Sequence, residues 1–291
     1  MKRKGFLAAA VVFTLALTAC GGSAGSGAGG SAAGGGGSAA ITDVEYHSVE
    51  AIKGRGELHV ATEATFAPYA FKDADGKIIG LEADLMQALA DEMGVTLVID
   101  DMAFDSVLPS VQSGLDDIAF AALTPTEERM KAFSYTDPYH FGGQVAVVRA
   151  EDAEKYASET SMMTAEVTMG AQKGSYQQQV TDAYYPDTTK RFLESVPNVI
   201  TDLKAGNIDV AVIDFDVASG YVLANPDLAL TFRIEMLEGD EGSDCGMCML
   251  GNDDLTAYVN ELIAKWTEDG SLEAWYQSAL QKQAELGGLT E

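Results

Sequence analysis

Beyond residue 56 the apolar positions of this chain alternate between short β-branched runs and stripes of helical period. Residues 57–62 and 95–99 read as strands, as apolar runs bounded by turn residues do. Between them, 66–71 reads as a loop broken by Pro68, 73–77 as an Asp/Gly turn and 81–93 as a helix. Leu81, Leu85, Ala88, Leu89 and Met93 share one face of that helix, and Gly94 closes it. One unit then occurs twice. A helix at 105–113 ends at Gly114 and feeds an apolar strand at 117–121; a helix at 199–205 ends at Gly206 and feeds a strand at 209–213. Thr124 follows the first strand and Asp214 the second. The tail is helical. Leu255, Val259, Leu262 and Ile263 form a stripe within 254–265, and after Gly270 a further helix carries Trp275 and Tyr276. Trp266 and Trp275 are expected in the core. This alternation predicts an α/β fold of two similarly built lobes with largely parallel sheets, and ligands of such sheets sit beyond the carboxyl ends of the strands.

The first forty residues follow a different pattern. Lys2-Arg3-Lys4 precedes an apolar run at 5–17, and Leu17-Thr18-Ala19 places small residues before Cys20. That is the layout of a secretory signal with a lipoprotein cleavage site, and the run is shorter than the roughly 20 residues that span a bilayer. Residues 1–19 are therefore expected to be removed and Cys20 to carry a lipid. Residues 21–40 contain Gly, Ser and Ala alone, which reads as a flexible tether. Residues 41–56 read as a connector with a short helix.

Charge narrows the partners. The formal net charge is −27, or about −30 once Lys2, Arg3 and Lys4 leave with the signal. Such a surface repels a phosphate backbone, so no nucleic acid is expected. Cys245 and Cys248 form a C-x-x-C, yet they lie in a strand-like run, 245–250. A redox pair needs a helix N-terminus and a closed zinc site needs four ligands, so neither a metal nor a cofactor is expected. Beyond the Gly/Ser/Ala run of residues 21–40, no Ser-His-Asp set or G-x-S-x-G suggests a hydrolase.

Several residues suit a small zwitterion. Thr124-Pro125-Thr126-Glu127 matches a capping box, with Pro125 at the first helical position and Arg129 one turn on. A helix N-terminus beside a guanidinium suits a carboxylate, although a capped helix with a surface Arg reads the same way. Ser175 and Gln178 fit a second capping box after Gly174. Asp214, ending an apolar strand, suits an ammonium or an N-cap equally. Glu63 is a second acid at a strand end, and Phe66 and Phe104 are loop aromatics able to sandwich an aliphatic or guanidinium group.

In order along the chain, 61–69, Asp75-Gly76-Lys77, 80–85, 104–114, 124–129 and 133–139 resemble the family 3 extracellular solute-binding proteins, which bind polar amino acids for ATP-driven importers. The resemblance covers about 57–281. It implies a two-lobed, type II periplasmic-binding-protein-like fold with two hinge crossovers, lobe 1 being 57–141 plus 243–283 and lobe 2 being 145–238. It implies that Arg129 clamps the ligand α-carboxylate with Thr124, Ala122 and Ser175, and that Asp214 takes the α-ammonium. Phe66 and Phe104 become the aromatic sandwich, with Glu63 and Gln172 near the ligand side chain. Three positions depart from the family: Ala122, where Gly is usual; Tyr176, where a smaller residue is usual; and Cys245, near a usual aromatic. The run 61–66 is similar to arginine binders, so a basic amino acid is expected ahead of glutamine or cystine. The expected partners are that amino acid, a permease with its ATPase, and the membrane through Cys20. The protein is expected to be a monomer on the extracytoplasmic face, and not an enzyme. The alternatives are a dehydratase acting on prephenate or arogenate, and a sensor lobe for a membrane receptor.

Overall fold

The computed structural model describes residues 43–286, so the signal and lipidation readings lie outside the described residues. A 3-10 turn, Val44–His47, leads into α1 (Val49–Arg55), capped by the Ser48 hydroxyl. In chain order there follow β1 (Glu57–Thr62), β2 (Thr65–Phe66), β3 (Ala70–Lys72), β4 (Ile78–Ile79), α2 (Leu81–Met93), β5 (Thr96–Asp101), α3 (Phe104–Gln112), β6 (Ile118–Leu123), α4 (Glu127–Ala132), β7 (Phe133–Tyr135) and β8 (His140–Phe141). The chain continues through β9 (Gln144–Arg149), β10 (Thr168–Gln172), α5 (Tyr176–Tyr184), β11 (Thr189–Leu193), α6 (Val196–Lys204), β12 (Val210–Asp214), α7 (Phe215–Ala224) and β13 (Leu228–Ile234). It ends with β14 (Ser243–Met249), α8 (Asp253–Glu268) and α9 (Ser271–Glu285).

Two sheets of matching design carry the molecule. The first has the order β5-β1-β6-β14-β7, with β8 also on β14; the second has the order β11-β10-β12-β9-β13. The repeated helix–Gly–Asp–strand unit supplies β6 to one and β12 to the other. β1 is parallel to β5 and β6, and β10 is parallel to β11 and β12. The expectation of largely parallel sheets needs correcting, because β14 and β9 run antiparallel to β6 and β12. The reason is topological. β9 and β14 arrive straight from the other sheet, so no helical crossover forces them parallel. The two crossings lie side by side, the Gly142 N–H donating to the Gly242 carbonyl at 2.8 Å.

Local differences from the sequence reading have simple causes. β5 runs on through Asp100 and Asp101 because they pair with Ala61 and Thr62, although their polarity hides this. The segment expected to be a loop contains β2 and β3, a hairpin pairing Phe66 with Ala70 and then β3 with β4. The connector docks: Ile52 is fully buried, and His47 Nδ1 lies 2.6 Å from Asp117 Oδ1. The tail packs as its stripe predicts, burying Leu255, Val259, Leu262, Ile263 and Trp266, with Trp266 edge-on to Trp275 at 5.3 Å. Cys245 and Cys248 are free and buried in β14, their thiols pushed up to about 12 by burial. Three residues apart on a strand, they face opposite sides and act as small apolar groups.

Candidate functional site

The expected residues fall into three groups, the first of which lines a groove. The first centres on Arg129, in the second half-turn of α4 and 7% exposed. Its Nη1 donates to the Thr124 carbonyl at 2.9 Å, and its Nη2 reaches across to the Gly174 carbonyl at 3.3 Å. Its guanidinium carbon sits 5.9 Å from the centre of the Phe104 ring. Burial lowers the Arg129 pKa to about 10, which leaves it charged at neutral pH. Phe104, Arg129, Gly174 and Ser175 share the wall of a groove of about 540 Å³.

The cap of α4 is not the one expected. Thr126, not Thr124, is the N-cap, its hydroxyl accepting from the Arg129 N–H at 3.4 Å. Pro125 therefore precedes the helix instead of opening it. The displaced cap leaves the buried Thr124 side chain out of the helix start, beside the arginine that uses its carbonyl. The second capping box is nearly as expected. The Ser175 hydroxyl accepts from the Gln178 N–H at 3.1 Å, but the Gln178 amide returns to the Gly174 N–H, at 2.8 Å, one residue early.

The second group holds Asp214, which takes the N-cap position that its place at the strand end allowed. Its Oδ1 caps α7 by accepting from the Asp216 and Val217 N–H groups at 2.9 and 3.3 Å. The Tyr69 hydroxyl lies 3.4 Å from the same oxygen. Burial, and then the charge of Asp216, push Asp214 up to about 7.

The third group surrounds Glu63, 5% exposed. Thr65 donates to its Oε1 at 2.5 Å. Burial raises its pKa, against the hydrogen bonds of Thr65 and Gln172. The Gln172 amide also donates to the Glu194 carbonyl at 3.1 Å. Phe66 is half-buried and stacks on Tyr69, the ring centres 5.5 Å apart and the planes 25° from parallel.

Ala122 stands apart. It has φ +46°, a left-handed conformation that costs a residue with a side chain about 1–2 kcal/mol. Its N–H donates at 2.6 Å to Glu82, so that donor is already used. Glu82 is a residue that sequence reasoning missed. It is fully buried, also accepts from the Tyr139 hydroxyl, and is raised to about 7, chiefly by burial. The helical stripe on α2 gave no sign of it, since an acid in a first helical turn reads as solvated. Asp244, likewise buried and raised by burial, lay hidden in the strand-like run before Cys245.

Two paired sheets, two adjacent crossings and charged groups of both signs buried between them define a two-lobed binding protein of type II architecture. Comparison with known proteins agrees. The model of the bacterial extracellular solute-binding proteins, family 3, matches residues 58–282. The arginine-binding extracellular protein ArtP of Bacillus subtilis is 25% identical over 94% of this chain and 96% of its own length. The L-cystine-binding protein TcyJ of Escherichia coli is 28% identical over 79% of this chain and 86% of its own. Among solved structures, the amino acid transporter substrate-binding protein AbpA from Streptococcus pneumoniae, bound to L-arginine, superposes with a TM-score of 0.76 at 34% identity, over 80% of this chain and 98% of that one. An ancestral amino-acid-binding protein, a precursor of cyclohexadienyl dehydratase, superposes with a TM-score of 0.73 at 27% identity, over 80% of this chain and 98% of that one. This chain belongs to the family 3 bacterial extracellular solute-binding proteins.

Proposed function

We propose that the chain is a lipid-anchored extracytoplasmic receptor that closes on a basic amino acid, arginine foremost, and passes it to the permease of an ATP-driven importer. The observation that carries the ligand is the charge of the three expected contact groups: one buried guanidinium, Arg129, against two buried carboxylates, Glu63 and Asp214, set apart from Glu82, whose carboxylate is taken up by the Ala122 N–H and the Tyr139 hydroxyl. Free arginine brings one carboxylate and two cations, the complement of that set. Arg129, the Thr124 hydroxyl, the Ala122 carbonyl and the N-terminus of α5 at Ser175 take the α-carboxylate. Asp214 takes the α-ammonium. Phe66 and Phe104 enclose the side chain, and Glu63 with Gln172 receives the guanidinium. The ligand named for ArtP and found on AbpA supports this choice.

In this reading the lobes are 57–141 with 243–283 and 145–238, and the chain works as a monomer without a cofactor. Cys20 holds the molecule at the membrane, with 21–40 as tether and 41–56 as connector. Among the described residues no helix is long and apolar enough to cross a membrane, and the proposed partners are a permease and its ATPase. Cys20→Ala then moves the protein from the membrane fraction to the medium; retention in the membrane would refute the anchor.

A second reading is a dehydratase. Its support is the likeness to an ancestral precursor of cyclohexadienyl dehydratase, together with Glu63, a buried acid whose pKa burial raises and which is the candidate general acid. Melting curves with each proteinogenic amino acid, ornithine, citrulline and cystine separate the readings. A ligand at 100 times its dissociation constant adds about 2.7 kcal/mol to stability. A rise with arginine or lysine is expected. A rise only with a neutral amino acid keeps the family and removes Glu63 as selector. No rise, with product formed from prephenate or arogenate, establishes the enzyme instead.

A further inference from the structure

A separate cluster of chemistry-bearing residues lies in the first sheet, toward the start of β1 and away from its Glu63 end. His59 belongs to β1 and Asp100 to the neighbouring parallel strand β5, where Ala61 pairs with Asp100. His59 and Ala61 are two apart, so the His59 and Asp100 side chains share one face of the sheet. Asp116, 2% exposed, enters from the turn that leads into β6, the strand on the other side of β1. One ligating atom of each residue lies within 4.8 Å of the other two. His59 Nδ1 is 3.4 Å from Asp100 Oδ2. Neighbouring ligands of a tetrahedral ion bound at roughly 2.0–2.2 Å are themselves about 3.4 Å apart.

Asp116 adds what an acidic patch by itself lacks. Its Oδ1 is closed to solvent and has no hydrogen-bond partner. A buried acceptor with no donor is costly unless something coordinates it, and the side chains beside this carboxyl are the Ser110 hydroxyl and the Asp100 carboxyl. The backbone holds this arrangement. The His59 N–H donates to Asp117 Oδ2 and the Asp117 N–H donates to the His59 carbonyl, each at 2.9 Å. The other ring nitrogen, His59 Nε2, faces Glu57 Oε2 at 3.5 Å. Imidazoles that bind metals ordinarily direct their free nitrogen to an outer carboxylate in this way, which fixes the tautomer.

We propose that His59, Asp100 and Asp116 form a divalent-cation site of the zinc class, outside the amino-acid cleft, in which the ion ties β1, β5 and the entrance to β6 together. An imidazole with two carboxylates and no thiolate suits Zn²⁺ and its first-row neighbours. Three protein ligands leave a fourth position for water, and the partly exposed His59 and Asp100 give the ion a way in.

Calorimetric titration of the metal-free full-length chain with ZnCl₂ tests the site. One equivalent is expected to bind at micromolar concentration or tighter, at least tenfold more weakly in Asp116→Asn and in Asp100→Asn. Zn²⁺ should raise the melting temperature of the unmodified chain and not that of Asp100→Asn, whose arginine binding stays unchanged. Asp100 is 45% exposed, so its variant keeps the test sound should Asp116→Asn fold poorly. Absence of binding, or equal binding by the unmodified chain and Asp100→Asn, overturns the proposal.

Discussion

Arg129 is a buried cation whose donors go to main-chain carbonyls, of Thr124 and Gly174, rather than to an acid. In its proposed role, Arg129 meets an arriving carboxylate with a fixed planar fork that no acid pairs directly, which a lysine does not reproduce. The opposite logic holds at Glu63 and Asp214, where burial has raised both acids. A cation entering beside either one favours its ionised form. Charge-assisted hydrogen bonds contribute about 1.5–3 kcal/mol, so Glu63→Gln should weaken arginine roughly ten- to a hundredfold and glutamine far less. Equal losses for both ligands, read by titration calorimetry, would remove Glu63 from the recognition of charge. In the proposed role of Asp214 as the ammonium partner, its raised pKa also makes binding depend on pH. With a pKa of about 7 in the free protein, Asp214 holds a proton at lower pH and must release it to receive an ammonium. The bound complex has the lower pKa, so affinity is present above that value and declines as pH falls below it. Arginine affinity should fall between about pH 8 and pH 6, with protons released on binding. Identical binding heats in buffers of different ionisation enthalpy would contradict this.

Among the elements, α2 shows why an element's periodicity can be read while its anchorage cannot. The stripe from Leu81 to Met93 predicts the helix correctly. Its start has no side-chain cap, and the first N–H groups donate instead to the β2–β3 hairpin. Leu81 donates to the Pro68 carbonyl at 3.0 Å and Glu82 to the Tyr69 carbonyl at 2.9 Å. That closeness requires Gly80, which has φ +124° and no room for a side chain: a Cβ would stand 2.2 Å from the Tyr69 oxygen. Gly80→Ala should cost about 3 kcal/mol or more, seen as a lower denaturation midpoint at unchanged slope. An unchanged midpoint would mean that the hairpin does not hold the helix. The same division runs through the rest of the chain. The repeated unit ending in β6 and β12 was legible because its signals are local: a stripe, a glycine and an apolar run. Glu82, Asp244 and the true cap at Thr126 were not, because their roles depend on partners far along the chain or on a shift of two residues in where a short helix begins. Periodicity reports which face is buried, whereas a buried acid is defined by what lies opposite it.

Across the whole molecule, the two sheets are joined by crossings that run beside Asp214. Few direct contacts favour closure strongly. Lys173 and Asp105 pair across the cleft at 2.8 Å, but with side chains 61% and 39% exposed. Pairs of that kind contribute at most about 1 kcal/mol, so the energy of closure must come from groups buried against the ligand. This makes the crossing itself sensitive. A Cβ at Gly142 would lie 2.7 Å from Asp214 Oδ2 and 3.4 Å from the Tyr69 hydroxyl. Asp214 cannot retreat freely, because its other oxygen caps α7. Gly142→Ala should therefore displace the carboxylate from its proposed place against the α-ammonium while leaving both sheets paired. Its arginine affinity should fall at least about tenfold, the loss of one charge-assisted hydrogen bond. Its melting temperature without ligand should stay within a few degrees of that of the unmodified chain. A fall in melting temperature that accounts for the whole loss would place the effect in folding, and unchanged affinity would show that Asp214 does not hold the ammonium.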